Sequence, residues 1–536
     1  MGRGTAGRHR PGASRRARAA DHKRPTATAE PAPGPPTRRR CPGRYAVPML
    51  TDDPAPIDRP AVAAAIASLD RGAIVAARWF GAKGRTIQSI RLDEAFALDP
   101  AGDHVLAVVT MTLDDGAHDR YSMALTGRPL REATPGDGTW RALAVAMADG
   151  RTIPGLPRDP SAAEPSGQVS AALVCRPAAA MPPAVELGPE RDLGADQSNT
   201  SVVVGEGILL KAYRRLQPGL NPDLEMTAFL SEEAGFTAVP PLAGFAELVE
   251  AAGGGSATTV AMAQQFVANG ADAFESIAEA LVGWIRAPGT VSLEVATEIA
   301  ADLGSLTAGM HAALADGRGL PDMTPREATR AELRAWPAAA RANLDRALEV
   351  TPGDAGATVR ALAPAIAEAL TVLDALPTSP ELQRVHGDYH LGQVLIAPDG
   401  FRIVDFEGEP LSVPSQRRSL RHPLRDVASM LRSLDHVARS AARRASARDA
   451  TQDEPPSGHV GLEIDAWIER ARERFLEAYL DGLREARVWI DIDADLLRAF
   501  EVDKELYEFA YAATYLPTWL YAPTEGMRAL VGDAGR

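Results

Sequence analysis

At 536 residues the chain is too long for one hydrophobic core and requires two to four domains or subdomains. Its formal charge of −14 hides a split: residues 1–50 hold 12 Lys or Arg against Asp21 and Glu30, a net +10, so the rest carries −24. An acidic body argues against nucleic-acid binding and for a cytoplasmic enzyme. Two cysteines, Cys41 and Cys175, exclude a disulfide framework or a cysteine-based zinc site, and no uninterrupted run of about 18 apolar residues marks a membrane span.

Residues 1–50, basic, proline-rich and without apolar periodicity, are expected to be a disordered arm, untranslated if initiation is at Met49. The arm lacks the apolar stretch of a secretory signal. Residues 51–192 read as an α+β cap that opens with an alanine-rich helix, Arg59 to Leu69, and continues with strand-like alternation over Val105 to Met111. Lys83, between glycines, reads as an anion-binding turn or as a plain surface loop.

Residues 193–272 read as a strand-rich amino lobe. Ser201–Val204 and Ile208–Lys211 are two short strands around Gly205-Glu206-Gly207. Lys211 on the second strand and Glu225 in the helical stretch that follows predict the ion pair that orients nucleotide phosphates. Ser198 and Asn199, in a small polar segment before the first strand, would cover the phosphates with backbone N–H groups, although the glycine triplet of protein kinases is missing. Gly253 to Ser256 is a hairpin tip. Gln264-Gln265-Phe266-Val267 then follows an apolar strand as the hinge between lobes, where backbone groups of Gln265 and Val267 would meet adenine.

Residues 273–536 read as a helical carboxy lobe. Leu303, Leu306, Met310 and Leu314 share one helix face, and His311 beside them is a packed or surface residue. The stretch Val385-His386-Gly387-Asp388-Tyr389-His390-Leu391-Gly392-Gln393, followed by Ile403-Val404-Asp405-Phe406-Glu407, carries the chemistry. Phosphoryl transfer needs a carboxylate to receive the acceptor's proton and oxygen ligands to hold Mg²⁺ against the phosphates. Asp388 suits the first task, Gln393 and Asp405 the second. Val394–Ile396 and Phe401–Val404, around the turn Ala397–Gly400, form a hairpin that returns Gln393 and Asp405 to one end. His386 and His390 read as hydrogen-bonding braces of this loop. Residues 440–460, with Arg443, Arg444 and Arg448, look like an insertion between helices, after which Trp467 to Leu483 resumes an amphipathic pattern that ends near Leu516-Pro517.

These parts predict an enzyme that uses ATP and Mg²⁺, and the wider pattern resembles a family. Gln197–Ser201, Arg214–Gly219, Asn221-Pro222-Asp223, His386-Gly387-Asp388, Asp405–Pro410, Pro423–Ala428 and, nearer the start, Arg78-Trp79-Phe80-Gly81 look like the maltokinases of the aminoglycoside-phosphotransferase-like branch. The resemblance implies an α+β, bilobal, protein-kinase-like fold with an N-terminal cap. It implies transfer from ATP to maltose, giving maltose 1-phosphate, on a route from trehalose to α-glucan. It makes Asp388 the base, Gln393 and Asp405 the magnesium ligands, and Lys211 with Glu225 the phosphate-orienting pair.

On the acceptor side, His386, Glu407, Glu409 and Arg425 would contact sugar hydroxyls, the last three alternatively forming an internal ion-pair network. The aromatic ending Tyr515–Pro523 also resembles glucosamine kinases, with Tyr515 and Trp519 facing the sugar or closing a helix end. Two other classes fit the catalytic parts: an antibiotic-modifying phosphotransferase and a nucleotide-binding protein without turnover. The sequence leaves open the oligomeric state and whether a trehalose-isomerising enzyme associates with the cap.

Overall fold

A computed structural model of the chain describes residues 57–82, 84–157, 171–194, 199–251, 257–320, 322–374, 376, 380–410, 414–446, 458–490 and 492–532. The basic arm, Lys83, Ser198, the tip at 253–256 and Arg448 with the middle of the expected insertion lie outside the described residues.

The cap opens with the helices Arg59–Ala67 and Arg71–Ala76, each started by an aspartate whose side chain accepts main-chain N–H bonds, Asp58 from Ala61 and Asp70 from Gly72 and Ala73. Next comes an antiparallel meander of Ile87–Ala97, His104–Leu113 and His118–Thr126. The middle strand reads as a nearly continuous apolar run because both of its faces are covered. Val105, Ala107, Val109 and Met111 pack on Val62, Ile66 and Phe80, whereas Leu106 and Val108 join Trp140 and Leu143 on the other side.

That second core corrects the expected boundary at 192/193. The amino-lobe sheet has seven antiparallel strands in the order 152–154, 171–177, 242–250, 257–265, 208–212, 200–204 and 190–192, so three strands assigned to the cap belong to it. Phe96 and Leu106 of the cap share one core with Leu210 and Val260 of that sheet. In return Arg215–Leu216 joins the cap sheet, with Arg215 opposite Tyr121. Arg214 lies 5.0 Å over the Trp79 ring and pairs with Glu132 at 3.1 Å, so the paired arginines stitch cap to lobe.

The helical lobe is built on Ala273–Arg286, Glu298–Ala315, Arg330–Val350, Leu424–Ser446, Gly458–Ala486 and Ala494–Tyr515. Helix Leu424–Ser446 runs into the stretch expected to be an insertion. There Arg444 pairs with Glu275 at 2.7 Å and Arg443 lies 4.6 Å over Tyr521. Leu303, Met310, Leu314 and also His311 are buried. Gly353–Asp374 is long and apolar enough to cross a membrane by length and composition, but its Val359, Ile366 and Leu370 belong to the core of this lobe.

One close approach sets a testable limit on this packing. A Cβ at Gly304 would run into the carbonyl of Phe475 on the facing helix. Gly304→Ala is therefore expected to destabilise the lobe by roughly 1–3 kcal/mol, since a packed backbone contact cannot yield to a methyl group without moving a helix. Thermal unfolding would show it as a lowered Tm; an unchanged Tm would mean the two helices separate at no cost.

Candidate active site

The loop 384–393 is held by one buried carboxylate. Asp426, in the first turn of helix Leu424–Ser446, accepts the main-chain N–H groups of His386 (2.7 Å) and Gly387 (3.0 Å) and lies 3.3 Å from His311 Nε2. His311 is fixed in turn by the Tyr479 hydroxyl at 2.8 Å. Burial alone would raise the Asp426 carboxyl, but His311, His386 and the N–H groups hold it below the usual range. Gly387 sits at φ +85°, a conformation that glycine adopts without penalty, and a Cβ there would face Gly408 at 3.5 Å.

His386 is 2% exposed, with Nε2 3.0 Å from the Val404 carbonyl. It braces the loop and does not line the cavity described below, which corrects its expected contact with substrate. Asp388 does line the cavity. Its Oδ1 is 3.2 Å from Lys504 Nζ and its Oδ2 is 3.9 Å from His390 Nε2. His390 Nδ1 accepts the Gly392 N–H at 3.1 Å, which puts the ring proton on Nε2, toward Asp388. Burial pushes the Asp388 carboxyl up, but Lys504, His390 and His386 outweigh it and hold the group below the ordinary carboxylate range.

The expected hairpin forms as Val394–Ala397 and Gly400–Ile403, with Val394 opposite Ile403. The Val404 N–H donates to the Gln393 carbonyl at 2.9 Å, and Gln393 and Asp405 both reach the cavity. Asp405 has φ +66°, an unfavourable backbone for a non-glycine residue, of the kind found where a side chain must be aimed.

Across the cavity, Lys211 lies on the strand Ile208–Ala212, with Ser201 opposite on Thr200–Val204. Its partner is not Glu225. Nζ contacts Asp223 (2.9 Å), Asp405 (2.6 Å) and Glu407 (2.6 Å), and although burial alone would lower the ammonium pKa, these carboxylates raise it well above its usual value. Asp223 and Glu225 lie on the helix Pro222–Ala228, and residues two apart are separated by about 200° around a helix. Only one of them can face the strand. Asp223 does so, also accepting the Phe406 N–H at 3.0 Å, while Glu225 turns to Arg384 (2.6 Å) and Arg418 (2.6 Å) of the helical lobe.

Glu407, expected on the acceptor side, is held instead by two amino-lobe residues, Lys211 Nζ and Asn199 Nδ2, each at 2.6 Å. At the expected hinge, the Gln265 N–H donates to Pro241 (2.9 Å) and the Val267 carbonyl accepts from Gly270 (3.2 Å); neither residue lines the main cavity.

That cavity, about 1200 Å³, lies between cap, amino lobe and helical lobe. Its far wall is one face of the helix Ala494–Tyr515. Lys504, Tyr507, Glu508, Tyr511 and Tyr515 recur at three- and four-residue spacing, with Tyr507–Tyr511 and Tyr511–Tyr515 ring centroids 6.2 and 5.1 Å apart. Trp519 closes the end, 5.7 Å from Phe274 and 6.2 Å from His436, and the cap adds Arg78, which hydrogen-bonds Tyr511.

Arg425 and Glu409 do not reach this cavity. Arg425 pairs with Asp503 at 3.0 Å and lies 4.4 Å over Phe500, and Glu409 stands 3.9 Å from both Arg421 and Lys504. Both belong to the internal ion-pair network that the sequence offered as the alternative. Asp435, His436 and Glu505 converge closely enough to hold an ion, but Arg432 and Arg439 already neutralise the two carboxylates.

Three residues without an assigned role turn out to organise the site: Asp223, Asp426 and Lys504. Asp223 and Asp426 stood inside the quoted signature segments Asn221-Pro222-Asp223 and Pro423–Ala428, and Lys504 in the run Asp503-Lys504-Glu505 set among the apolar helix positions Phe500, Val502, Leu506 and Phe509, but no spacing within those segments showed what they hold.

The model of the phosphotransferase enzyme family matches residues 191–489, and that of the maltokinase N-terminal cap domain matches residues 74–151. A glucosamine kinase of Streptacidiphilus jiangxiensis is 34% identical over 452 residues, 83% of this chain and 92% of the relative. A second, of Mycolicibacterium smegmatis, is 30% identical over 64% of this chain and 80% of its own length. A solved glucosamine kinase in complex with glucosamine, ADP and inorganic phosphate superposes with a TM-score of 0.64 at 29% identity, covering 88% of this chain and 99% of the other.

Proposed function

The chain belongs to the phosphotransferase enzyme family, and from that premise we propose that it is an ATP-dependent sugar kinase whose acceptor is glucosamine. The observation that carries the acceptor is the 34% identity to a glucosamine kinase across 83% of this chain and 92% of the relative. The cavity lining supports it: Asp388 on the loop and Glu508 on the far wall present carboxylates suited to an ammonium and to sugar hydroxyls, beside tyrosine rings suited to a sugar face. Maltose, implied by the resemblance in sequence, remains the second acceptor because the cap matches the maltokinase cap domain. We place the reaction in the cytoplasm, in keeping with the acidic body.

In this mechanism Asp388 Oδ2 takes the proton of the acceptor hydroxyl as its oxygen attacks the γ-phosphorus. The bond from that phosphorus to the β,γ-bridging oxygen breaks, and ADP leaves with the electron pair. Lys211 moves from its carboxylates onto the nucleotide phosphates, with Asn199 and Ser198 covering them. Gln393 and Asp405 would hold Mg²⁺, and the donors fit that ion. An amide oxygen and a carboxylate are the hard donors this ion takes, and both side chains reach the same cavity. An ion held there would supply charge neutralisation to the nucleotide phosphates.

The test is ADP release coupled to NADH oxidation, with Mg-ATP and, in turn, glucosamine, maltose, glucose and kanamycin. Turnover with glucosamine at least about ten-fold above maltose in kcat/KM is expected, a margin of about 1.4 kcal/mol. Preference for maltose would replace the acceptor and keep the mechanism, whereas preference for kanamycin would move the enzyme to antibiotic modification.

A further inference from the structure

Lys504 has no part in the mechanism so far, yet it is the ammonium closest to the reacting carboxylate. It lies on helix Ala494–Tyr515, 116 residues from Asp388 in sequence, with its side chain 8% exposed. Four groups surround Nζ: Asp388 Oδ1 (3.2 Å), Glu508 (3.0 Å), Glu409 (3.9 Å) and the Tyr507 ring (4.6 Å). Burying a lysine costs several kcal/mol unless carboxylates repay it, and here three do. A purely structural role would need no contact with Asp388, since Glu508 and Glu409 already neutralise the charge.

We infer that Lys504 is a positioning residue for phosphoryl transfer: by holding Oδ1, it turns Oδ2 of Asp388 toward the acceptor hydroxyl and keeps the carboxylate ionised. The inference rests on the reading of Asp388 as the base. A carboxylate has two oxygens, and a base aimed at one hydroxyl must commit one of them. Among the described residues only Lys504 approaches Oδ1 as a charged donor, while His390 faces Oδ2 from 3.9 Å and is close enough to hand its place to a hydroxyl. The other charged or titratable groups around Asp388 are His386 on its own loop, Asp405 and Glu409 on the segment after the hairpin, and Tyr507, Glu508 and Tyr511 on the helix of Lys504. The carboxylates among them raise the Asp388 pKa, so the ammonium is the main counterweight.

The sign follows. A carboxyl held low is ionised across the neutral range, so the acid limb of kcat/KM against pH lies at low pH in the wild type. Lys504→Met removes the ammonium and moves that limb upward. The experiment compares Lys504→Met, Lys504→Gln and Lys504→Arg with the wild type, measuring pH profiles, kcat and KM separately, and ADP affinity by calorimetry. Met and Gln are expected to lower kcat at neutral pH by roughly 10- to 100-fold, with KM for ATP within about three-fold and the acid limb shifted up by about one pH unit; Arg restores the limb and most of kcat. Loss of kcat with the limb unmoved, or an equal loss in Arg, would overturn the assignment.

Should Met and Gln fail to fold, Glu508→Gln reads the same linkage from the surface side. With Glu508 neutral, Lys504 is left to Asp388 and Glu409, and the limb moves downward; an upward move would overturn the assignment. Asp388→Asn separates the premises. If that variant stays active, the reading of the base fails and takes this inference with it. If it is inactive while the Lys504 variants keep the wild-type limb, only the role of Lys504 falls.

Discussion

Asp388→Asn is expected to lower kcat by about a thousand-fold, some 4 kcal/mol of transition-state stabilisation, while ADP affinity and Tm stay close to wild type. The asparagine retains Oδ1 as an acceptor for Lys504, and Lys504 keeps Glu508 at 3.0 Å, so the loop has no reason to move. What disappears is a group able to take a proton, because an amide oxygen is not basic at neutral pH. Phosphoryl transfer depends mostly on positioning and charge, so the residual rate should be measurable. Steady-state turnover with glucosamine, together with calorimetry for ADP, separates the outcomes. A kcat within about ten-fold of wild type would mean that the acceptor hydroxyl loses its proton elsewhere.

The second large effect divides Asp223 from Glu225, two carboxylates on one short helix. Asp223→Asn removes a charge that faces Lys211 and Asp405 and is expected to lower kcat/KM for ATP by roughly 10- to 100-fold. Glu225→Gln should leave that ratio within a few-fold but cost about 3 kcal/mol of stability. It strands Arg384, 1% exposed, which bonds Glu225 at 2.6 Å, and it weakens the link to Arg418. Nucleotide kinetics and thermal melts on the pair of variants make the comparison. The reverse result, with Glu225→Gln stable but defective for ATP and Asp223→Asn unaffected, would restore the pairing expected from sequence.

That pairing shows where sequence spacing stops being informative. Lys211 was legible as a strand lysine, and a helical acid at the right distance downstream was legible too. Two acids two positions apart both satisfy the spacing, and which of them faces the strand depends on the rotation of the helix about its axis. Arg384 and Arg418 decide that rotation from another lobe. Glu407 and Glu409 tell a similar story. Their polarity was visible, but their partners Lys211, Asn199, Arg421 and Lys504 lie between 12 and nearly 210 residues away in sequence.

The sequence by itself determined the local parts of this protein: the hairpin behind Gln393 and Asp405, the catalytic loop with its glycine, the first helix and one strand of the cap, and the helical pattern of the carboxy lobe. Each of these follows from residues within one turn or one hairpin of one another, where period, turn chemistry and capping act. Only the tertiary structure decided that cap and amino lobe share a core, that Asp426 holds the catalytic loop, and that a lysine 116 residues away grips the reacting carboxylate. Charges buried together choose partners by distance in space, since desolvation makes every unpaired one costly, and that distance exists only once the lobes have packed.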